Sequence, residues 1–380
     1  MPAATFPISP SLTVADVTPR LRKMKEAEMR ARFEIDSGVS VAHAVKHLAK
    51  KRLTFVCVTD SAQGGRVIGM FSERDYLRYQ VRAEASAFFS GMDATMEPVT
   101  RAMSAAERML SLRAETTVHT ALSMVQHKIW RHLPILDDNE RLTAVLDIRE
   151  LLQLFGGRTD HQPHTPGEPS AALAPGGHLR SVWHGKCVAD ILRTKRREKI
   201  VEGTSLELYL RTRAATHTIA ASGTIERAAK QMARERLTFL VVVEEDARVK
   251  TTELYVPSPF EKNRVVGLVN ERDFVRFGAE HDDGLGKHAS TPVRAIMTPL
   301  DQIERVSITD SVSKCVDILI AKNVRHLPVI DGEHLFGVVS LRDVLRPMLP
   351  DARESVLAGA EHGHVSAVWR KAQPADAGGP

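Results

Sequence analysis

The chain has little cysteine and few aromatic residues: three cysteines, and 5% Phe, Trp and Tyr among 380 residues. An odd number of widely separated cysteines supports no disulfide framework and indicates a reducing compartment. Scarce aromatic residues leave few platforms on which single-stranded nucleic acid could stack. The net charge of +5 is small for a chain of this length, so nucleic acid is not an expected partner.

Long apolar runs and catalytic signatures are also missing. The most apolar stretch, residues 237–243, is interrupted by Thr238 and falls well short of the roughly 18 residues that a membrane span needs. The motifs of kinases, α/β-hydrolases and zinc proteases do not occur. We therefore expect a protein that is not an enzyme, requires no cofactor or metal and does not associate with a membrane. We expect it inside the cell, in the cytoplasm or in an organelle such as the mitochondrion.

What the chain does have is an internal duplication. The segment R-V-I-G-M-F-S-E-R-D-Y-L-R at 66–78 recurs as R-V-V-G-L-V-N-E-R-D-F-V-R at 264–276, and R-H-L-P at 131–134 recurs at 325–328. Similarity between distant segments in the same order indicates a repeat architecture. Each half is itself double, because it contains two units that each read as a helix, a strand, a polar turn, a second strand and a further helix.

The fourth unit shows this pattern clearly. Its apolar residues follow a 3.6-residue period over 311–323, which predicts a helix. Two strands are predicted at 327–330 and 335–339, with a turn at Asp331-Gly332 between them. A last helix is predicted to begin near Ser340 and to end before Pro347. The second unit repeats the pattern, with predicted strands at 133–136 and 142–146 and a helix at 148–154.

Four copies of a strand ending in G-h-h-S-x-R-D or a variant resemble cystathionine-β-synthase (CBS) domains, most closely those of plant-type organellar CBS-pair proteins. The resemblance implies a mixed α/β fold, in which four CBS motifs form two tandem Bateman modules and each motif is a small sheet flanked by two helices. The implied division is motif 1 at 12–80, motif 2 at 93–156, a Pro/Gly-rich linker at 157–180, motif 3 at 186–278, motif 4 at 290–349 and a flexible tail at 350–380.

The resemblance also implies a function. CBS-pair proteins are regulators that bind an adenosine-containing ligand such as AMP, ADP, ATP or S-adenosylmethionine in the cleft between paired motifs. The expected partners are therefore an adenosine nucleotide, an unidentified protein that receives the signal, and a second copy of the chain in a homodimer. The alternative is an assembly scaffold that dimerises through its CBS modules and binds no nucleotide.

In such sites the Asp of S-x-x-D meets the ribose hydroxyls, the Ser and the helix N-terminus face phosphate, and an Arg-His pair completes the phosphate site. These residue types suit the ligand, because a helix N-terminus favours anions and Arg and His donate to phosphate oxygens. The Arg-His pairs lie in motifs 2 and 4, and we expect them to reach across the cleft to motifs 1 and 3. The ligand-binding residues implied in this way are Ser72, Asp75, Arg131, His132, Asn270, Asp273, Arg325, His326, Ser340 and Asp343.

Two features qualify this prediction. An S-x-x-D sequence before an apolar helix is also a capping box, which stabilises the helix by about 1 kcal/mol without any ligand. The second unit carries Asp147 and Glu150 where Ser and Asp are expected. A carboxylate at the phosphate position predicts a site that is empty or takes an uncharged group. The Ser340-Asp343 site is expected to face Thr238 and Phe239, without a cation from across the cleft.

Overall fold

The computed structural model describes eleven stretches of the chain and one single residue: 12–16, 26–90, 96–118, 120–121, 132–147, 185–191, 217–245, 263–281, 288–322, 326–331 and 334–345, and also 324. The predicted linker at 157–180, the tail at 350–380, the helix at 148–154 and the two arginines Arg131 and Arg325 lie outside these residues. Among the described residues, no helix is long and apolar enough to cross a membrane.

The first half contains three described helices and six strands. The helices are α1 (Glu26–Phe33), α2 (Val41–Lys51) and α3 (Glu73–Ser90). The strands are β1 (Glu34–Asp36), β2 (Phe55–Asp60), β3 (Arg66–Ser72), β4 (Ser104–Ala105), β5 (His132–Leu136) and β6 (Leu142–Asp147). The strands predicted at 133–136 and 142–146 are confirmed to within one residue.

The second half repeats this order. Its helices are α4 (Ile225–Glu235), α5 (Glu271–Glu280), α6 (Val312–Ala321) and α7 (Leu341–Leu345). Its strands are β7 (Thr218–Ala220), β8 (Phe239–Glu245), β9 (Asn263–Asn270), β10 (Thr298–Pro299), β11 (His326–Asp331) and β12 (His334–Ser340). The elements predicted for the fourth unit are confirmed, with ends that shift by one or two residues.

The duplication extends to strand pairing. One sheet has the order β1-β2-β3-β4 and its counterpart has the order β10-β9-β8-β7, while β5-β6 and β11-β12 form two-stranded sheets. Corresponding residues face each other across the hairpins: Phe55 is opposite Ser72 and Phe239 is opposite Asn270. The other two hairpins also correspond: His132 is opposite Asp147 in motif 2, and His326 is opposite Ser340 in motif 4.

Local sequence explains the helix starts and the glycine of the repeated strand. Ser40, Thr224 and Ser311 each accept a hydrogen bond from the backbone N–H three residues on, which satisfies a donor that the first helical turn leaves unpaired. Gly267 is required by a close approach, because a Cβ there would lie 2.7 Å from the carbonyl oxygen of Thr298 on β10. A side chain at this position would therefore push the short edge strand off the sheet.

Four apolar cores hold the motifs together. The sheet faces of motifs 1 and 2 share one core, which includes Phe55, Met70 and Val145, and those of motifs 3 and 4 share another, which includes Val241 and Ile330. These two cores join the motifs of each module. The CBS-type pairing of sheets that the sequence predicts is therefore present in both halves.

The two larger cores run between the modules. Helices of motif 1 pack against helices of motif 3, with Leu48, Tyr76 and Phe274 in the shared core, and motif 2 packs in the same way against motif 4. The helices approach closely, since a Cβ on Gly278 would lie 2.1 Å from the hydroxyl oxygen of Tyr76. The modules therefore bury their helical faces against each other within one chain.

Candidate functional site

The predicted S-x-x-D residues all cap the helices that they precede. Asp273 accepts a hydrogen bond from the Asn270 N–H at 2.8 Å, and the Asn270 side chain accepts one from the Arg272 N–H at 2.9 Å. In motif 4, the Ser340 N–H donates to Asp343 Oδ2 at 2.7 Å. Motif 1 forms the same reciprocal contacts between its serine and aspartate. The capping interpretation therefore accounts for the local geometry in all three motifs.

Two of these carboxylates are buried. Asp75 is 8% exposed and also accepts a hydrogen bond from the Ser104 hydroxyl at 2.9 Å, while Asp273 is 3% exposed and accepts one from Arg276 at 3.1 Å. Burial raises the pKa of Asp273 to about 6, against the opposing effects of its backbone hydrogen bond and of Arg276. Burial also raises the pKa of Asp75. Neither carboxylate is directed into open space in this structure.

In the first module, His132 lies where motifs 1 and 2 meet. Its ring stacks on Phe55 with the centroids 4.6 Å apart, and its Nδ1 lies 3.2 Å from the Thr54 hydroxyl oxygen. Its Nε2 lies 2.9 Å from Asp147 Oδ2. A neutral ring can therefore donate to Asp147 and accept from Thr54. His132 and Asp147 are both 9% exposed.

This contact accounts for the burial of His132 and Asp147 between the motifs of the first module. The histidine predicted to face phosphate is held by the carboxylate that replaces serine in motif 2, and both groups are buried. The sequence predicted that Asp147 would repel a phosphate, but it did not predict the bond to His132. The presence of Asp147 in place of serine therefore affects His132 as well as the position at which the phosphate was expected.

In the second module, a cavity of about 250 Å³ opens at the equivalent place. Asn270 and Arg272 from the start of α5 line it together with His326 from motif 4, so two of the four residues predicted to meet across this cleft, Asn270 and His326, share one cavity. Phe239 lines the same cavity, with its ring centroid 5.0 Å from that of His326. The remaining lining residues are Glu73, Thr238, Leu268, Glu271, Thr298, Gln302, Ile303, Glu304 and Val324.

Other predicted site residues lie outside this cavity wall. Asp273 stands behind Asn270 and does not line the cavity, and the same is true of the Ser340-Asp343 pair. Thr238 and Phe239, which were expected to face Ser340 and Asp343, line the cavity with Asn270 and His326. The structure thus brings the site residues of motif 3 together with the histidine of motif 4.

Sequence reasoning missed the ion pairs that join the modules at this cavity. Arg74 Nε of motif 1 lies 2.9 Å from Glu271 Oε1 of motif 3, and Arg272 Nε lies 3.1 Å from Glu73 Oε1. The side chains of the two glutamates are 3% and 5% exposed, and those of Arg74 and Arg272 are 22% and 50% exposed. Directly after the capping residue, units one and three carry Glu-Arg where units two and four carry Ile-Arg and Leu-Arg, which was an available signal.

The cavity therefore has a mixed lining. Its apolar part comes from Phe239, Leu268, Ile303 and Val324, and its donors come from Arg272, Asn270 and His326. Its three glutamates are balanced by cations, because Glu304 lies 2.9 Å from Lys322 and the other two pair with Arg74 and Arg272. An apolar wall beside a small set of donors is typical of a site for a small polar ligand.

The CBS domain family model matches residues 25–82, 102–157 and 293–349, which correspond to motifs 1, 2 and 4. Motif 3 has the same sheet order as motif 1. The chain contains CBS domains in these three stretches, and the mixed α/β fold class expected from the sequence is confirmed.

Two curated relatives show where similarity lies. An uncharacterized 17.7 kDa protein of Acidianus ambivalens is 32% identical over 127 residues, which are 33% of this chain and 63% of the relative. The mitochondrial CBS domain-containing protein CBSX3 of Arabidopsis thaliana is 30% identical over 104 residues, 27% of this chain and 48% of the relative. The chain thus spans between about half and three fifths of the length of these relatives.

One solved structure has a similar fold over most of this chain. Protein MJ1225 of Methanocaldococcus jannaschii, described as a proposed archaeal homologue of g-AMPK, is 15% identical, with a TM-score of 0.60. The match covers 88% of this chain and 99% of that one. At this identity, the likeness shows a common fold alone.

Proposed function

We propose that this protein is a non-catalytic regulator that binds an adenosine nucleotide in the cleft of its second module. The observation that carries the proposal is the cavity in which Arg272, Asn270 and His326 stand beside an apolar wall. Its volume of about 250 Å³ is just below the range of roughly 300–1,000 Å³ typical of small-molecule sites, which favours a mononucleotide over an elongated ligand.

Each part of a nucleotide has a matching surface in this cavity. The adenine can lie against Phe239 and the aliphatic side chains of Leu268 and Val324. The phosphate can accept hydrogen bonds from Arg272 and His326 beside the positive end of α5. We assign Asp273 a positioning role, because it holds Asn270 and the first turn of α5 in place. Arg325, Ser340 and Asp343 remain proposed ligand contacts.

Occupancy can be passed from one module to the other through Arg272. This arginine is half exposed, lines the cavity and pairs with Glu73 of motif 1 at 3.1 Å. A phosphate in the cavity would compete with Glu73 for the guanidinium, so binding would weaken one of the two ion pairs that join the modules. A partner protein that contacts both modules could detect that change.

The first module is proposed to bind no nucleotide in its native form. His132 and Asp147 bind each other, and both are buried. Ser72 and Asp75 then contribute to the helix cap and to the fold rather than to a ligand site. We also propose that the protein acts inside the cell, and the mitochondrial relative CBSX3 makes the mitochondrion the first compartment to examine.

The decisive experiment is calorimetric titration of the full chain with AMP. Native protein should bind one equivalent, and His326→Ala should weaken binding at least tenfold, about 1.4 kcal/mol, because a phosphate donor is lost. His281→Ala is the matched control, since His281 belongs to the same module, lies outside the cavity and contacts Phe277. Unchanged AMP affinity in folded His326→Ala would contradict the proposed site.

A scaffold without nucleotide is the second candidate, and one observation favours it. The caps at Asn270-Asp273 and Ser340-Asp343 are complete without a ligand. Absence of binding to AMP, ADP, ATP and S-adenosylmethionine by the folded chain would support this function. The homodimer expected from the sequence belongs to both candidates, and sedimentation with and without AMP tests it.

A further inference from the structure

A basic groove is lined by residues of α3 and α4, and the proposed nucleotide site does not use it. Its volume is about 1,050 Å³, and it runs where α3 of motif 1 faces α4 of motif 3. Its charged lining consists of Arg78, Arg82, Arg227, Lys230, Arg234 and Glu226. None of these residues lines the nucleotide cavity.

The groove carries a clear excess of positive charge. Of the described residues, five cations and one carboxylate line it, and this carboxylate, Glu226, is ion-paired with Lys230 one turn along α4. Arg234 is 77% exposed and lies 2.7 Å from Glu235. Burial lowers the pKa of Arg78, and the neighbouring charges of Arg74 and Arg236 act in the same direction. Like charges held this close favour an anion between them.

The repeat shows that the fold does not require two of these cations. By the alignment of the two halves, Arg82 corresponds to Glu280 on α5, and Arg227 corresponds to His43 on α2. The other three cations of the groove have cationic counterparts, which are Lys46, Lys50 and Arg276. Arg276 is engaged elsewhere, because its guanidinium donates to Asp273 and to the Ile296 carbonyl, both at 3.1 Å.

We propose that this groove binds a compact oligophosphate through its arginines. Guanidinium groups bind phosphate oxygens in a bidentate manner, and several of them along one groove match a ligand with several phosphates. None of the described residues that line the groove is aromatic, so these residues offer no stacking platform for bases. The ligand can be free inorganic oligophosphate or the phosphate tail of a nucleotide.

Titration of the full chain with inorganic tripolyphosphate tests the proposal. Native protein should bind one equivalent, with an affinity that falls as salt is added. Arg227→Gln combined with Arg234→Gln should weaken binding at least tenfold. Lys50→Gln combined with Lys51→Gln is the matched control: it removes the same charge from α2, whose end corresponds to that of α4, and should change the affinity less than twofold.

A second variant tests whether tripolyphosphate binds in the nucleotide cavity instead of the groove. His326→Ala should leave tripolyphosphate affinity within twofold, and loss of binding there would place the phosphate in the cavity and overturn the proposal. Equal weakening in the two double variants, or no binding by native protein, would also overturn it. In the His326→Ala background, ATP that binds as tightly as tripolyphosphate identifies a nucleotide tail as the ligand, and much weaker ATP binding identifies the free oligophosphate.

Discussion

The clefts of the two modules have the same strand register and different contents. In the first module, His132 lies opposite Asp147 and bonds to it at 2.9 Å, and both are buried. In the second, His326 lies opposite Ser340 and lines an open cavity. The comparison indicates that the residue at the end of the hairpin, Asp147 or Ser340, determines whether the histidine opposite it is buried in the core or lines a cavity.

The ion pairs between the modules differ in a related way. Both buried glutamates follow a helix-capping residue, but Arg74 is 22% exposed and Arg272 is 50% exposed. The more exposed arginine is the one that lines the cavity. One pair is therefore suited to holding the modules together, and the other can also respond to a ligand.

The largest effect is expected when the less exposed pair is broken. Glu271→Gln leaves the charge of Arg74 without its partner at a site that water reaches poorly, so the free energy of unfolding should fall by about 3 kcal/mol. Glu73→Gln is the matched control, because Arg272 can turn to solvent, and should cost about 1 kcal/mol. Urea unfolding of both variants measures the difference. Equal losses would contradict the assigned difference between the pairs.

A smaller change should open the first cleft. Asp147→Ser gives motif 2 the residue that motif 4 has at Ser340, and it releases His132. The lost hydrogen bond to a charged group should cost about 1–3 kcal/mol of stability. Calorimetry should then show a second equivalent of bound AMP. Asp138→Ser, in the exposed turn of the same hairpin, should leave the stoichiometry unchanged; a folded Asp147→Ser protein with one equivalent would show that Asp147 does not close the site.

The last prediction concerns the pH dependence of the second module. The pKa of Asp273 is about 6 in the folded chain and 3.8 ordinarily, so the folded state holds this proton more tightly than the unfolded state does. The contribution of Asp273 to the free energy of unfolding should therefore fall by at most about 3 kcal/mol as the pH rises from about 4 to about 6. Above that pH the contribution should stay constant. Asp273→Asn should remove this dependence.

The measurement for Asp273 is the difference in the free energy of unfolding between native and variant chains from pH 4 to 7. The asparagine oxygen can still accept the Asn270 N–H, so the cap is preserved. Asp301→Asn, on an exposed turn of the same module, serves as the control. If the difference in the free energy of unfolding between the native chain and Asp273→Asn stays constant with pH, the buried carboxylate does not titrate in this range.

Much of the fold could be predicted because it depends on local patterns that recur. The period of the apolar residues gave α6, and the repeated strand with its capping residue gave β9, β12 and the helices after them. The family resemblance added the pairing of motifs. The contact between His132 and Asp147 could not be predicted in the same way, because it joins two ends of a hairpin whose exposure depends on the packing of motif 1.

By itself, the sequence determined the duplication, the strand register and the helix caps, since each depends on residues close in the chain or on repeated spacing. The packing of motif 1 on motif 3, and of motif 2 on motif 4, was decided by tertiary structure alone. That packing buries Glu73 and Glu271, pairs them with arginines nearly 200 residues away and gathers the cations of α3 and α4 into one groove. The physical reason is that burial and long-range charge pairing depend on which helical faces meet, and many faces in a repeated chain have similar apolar patterns.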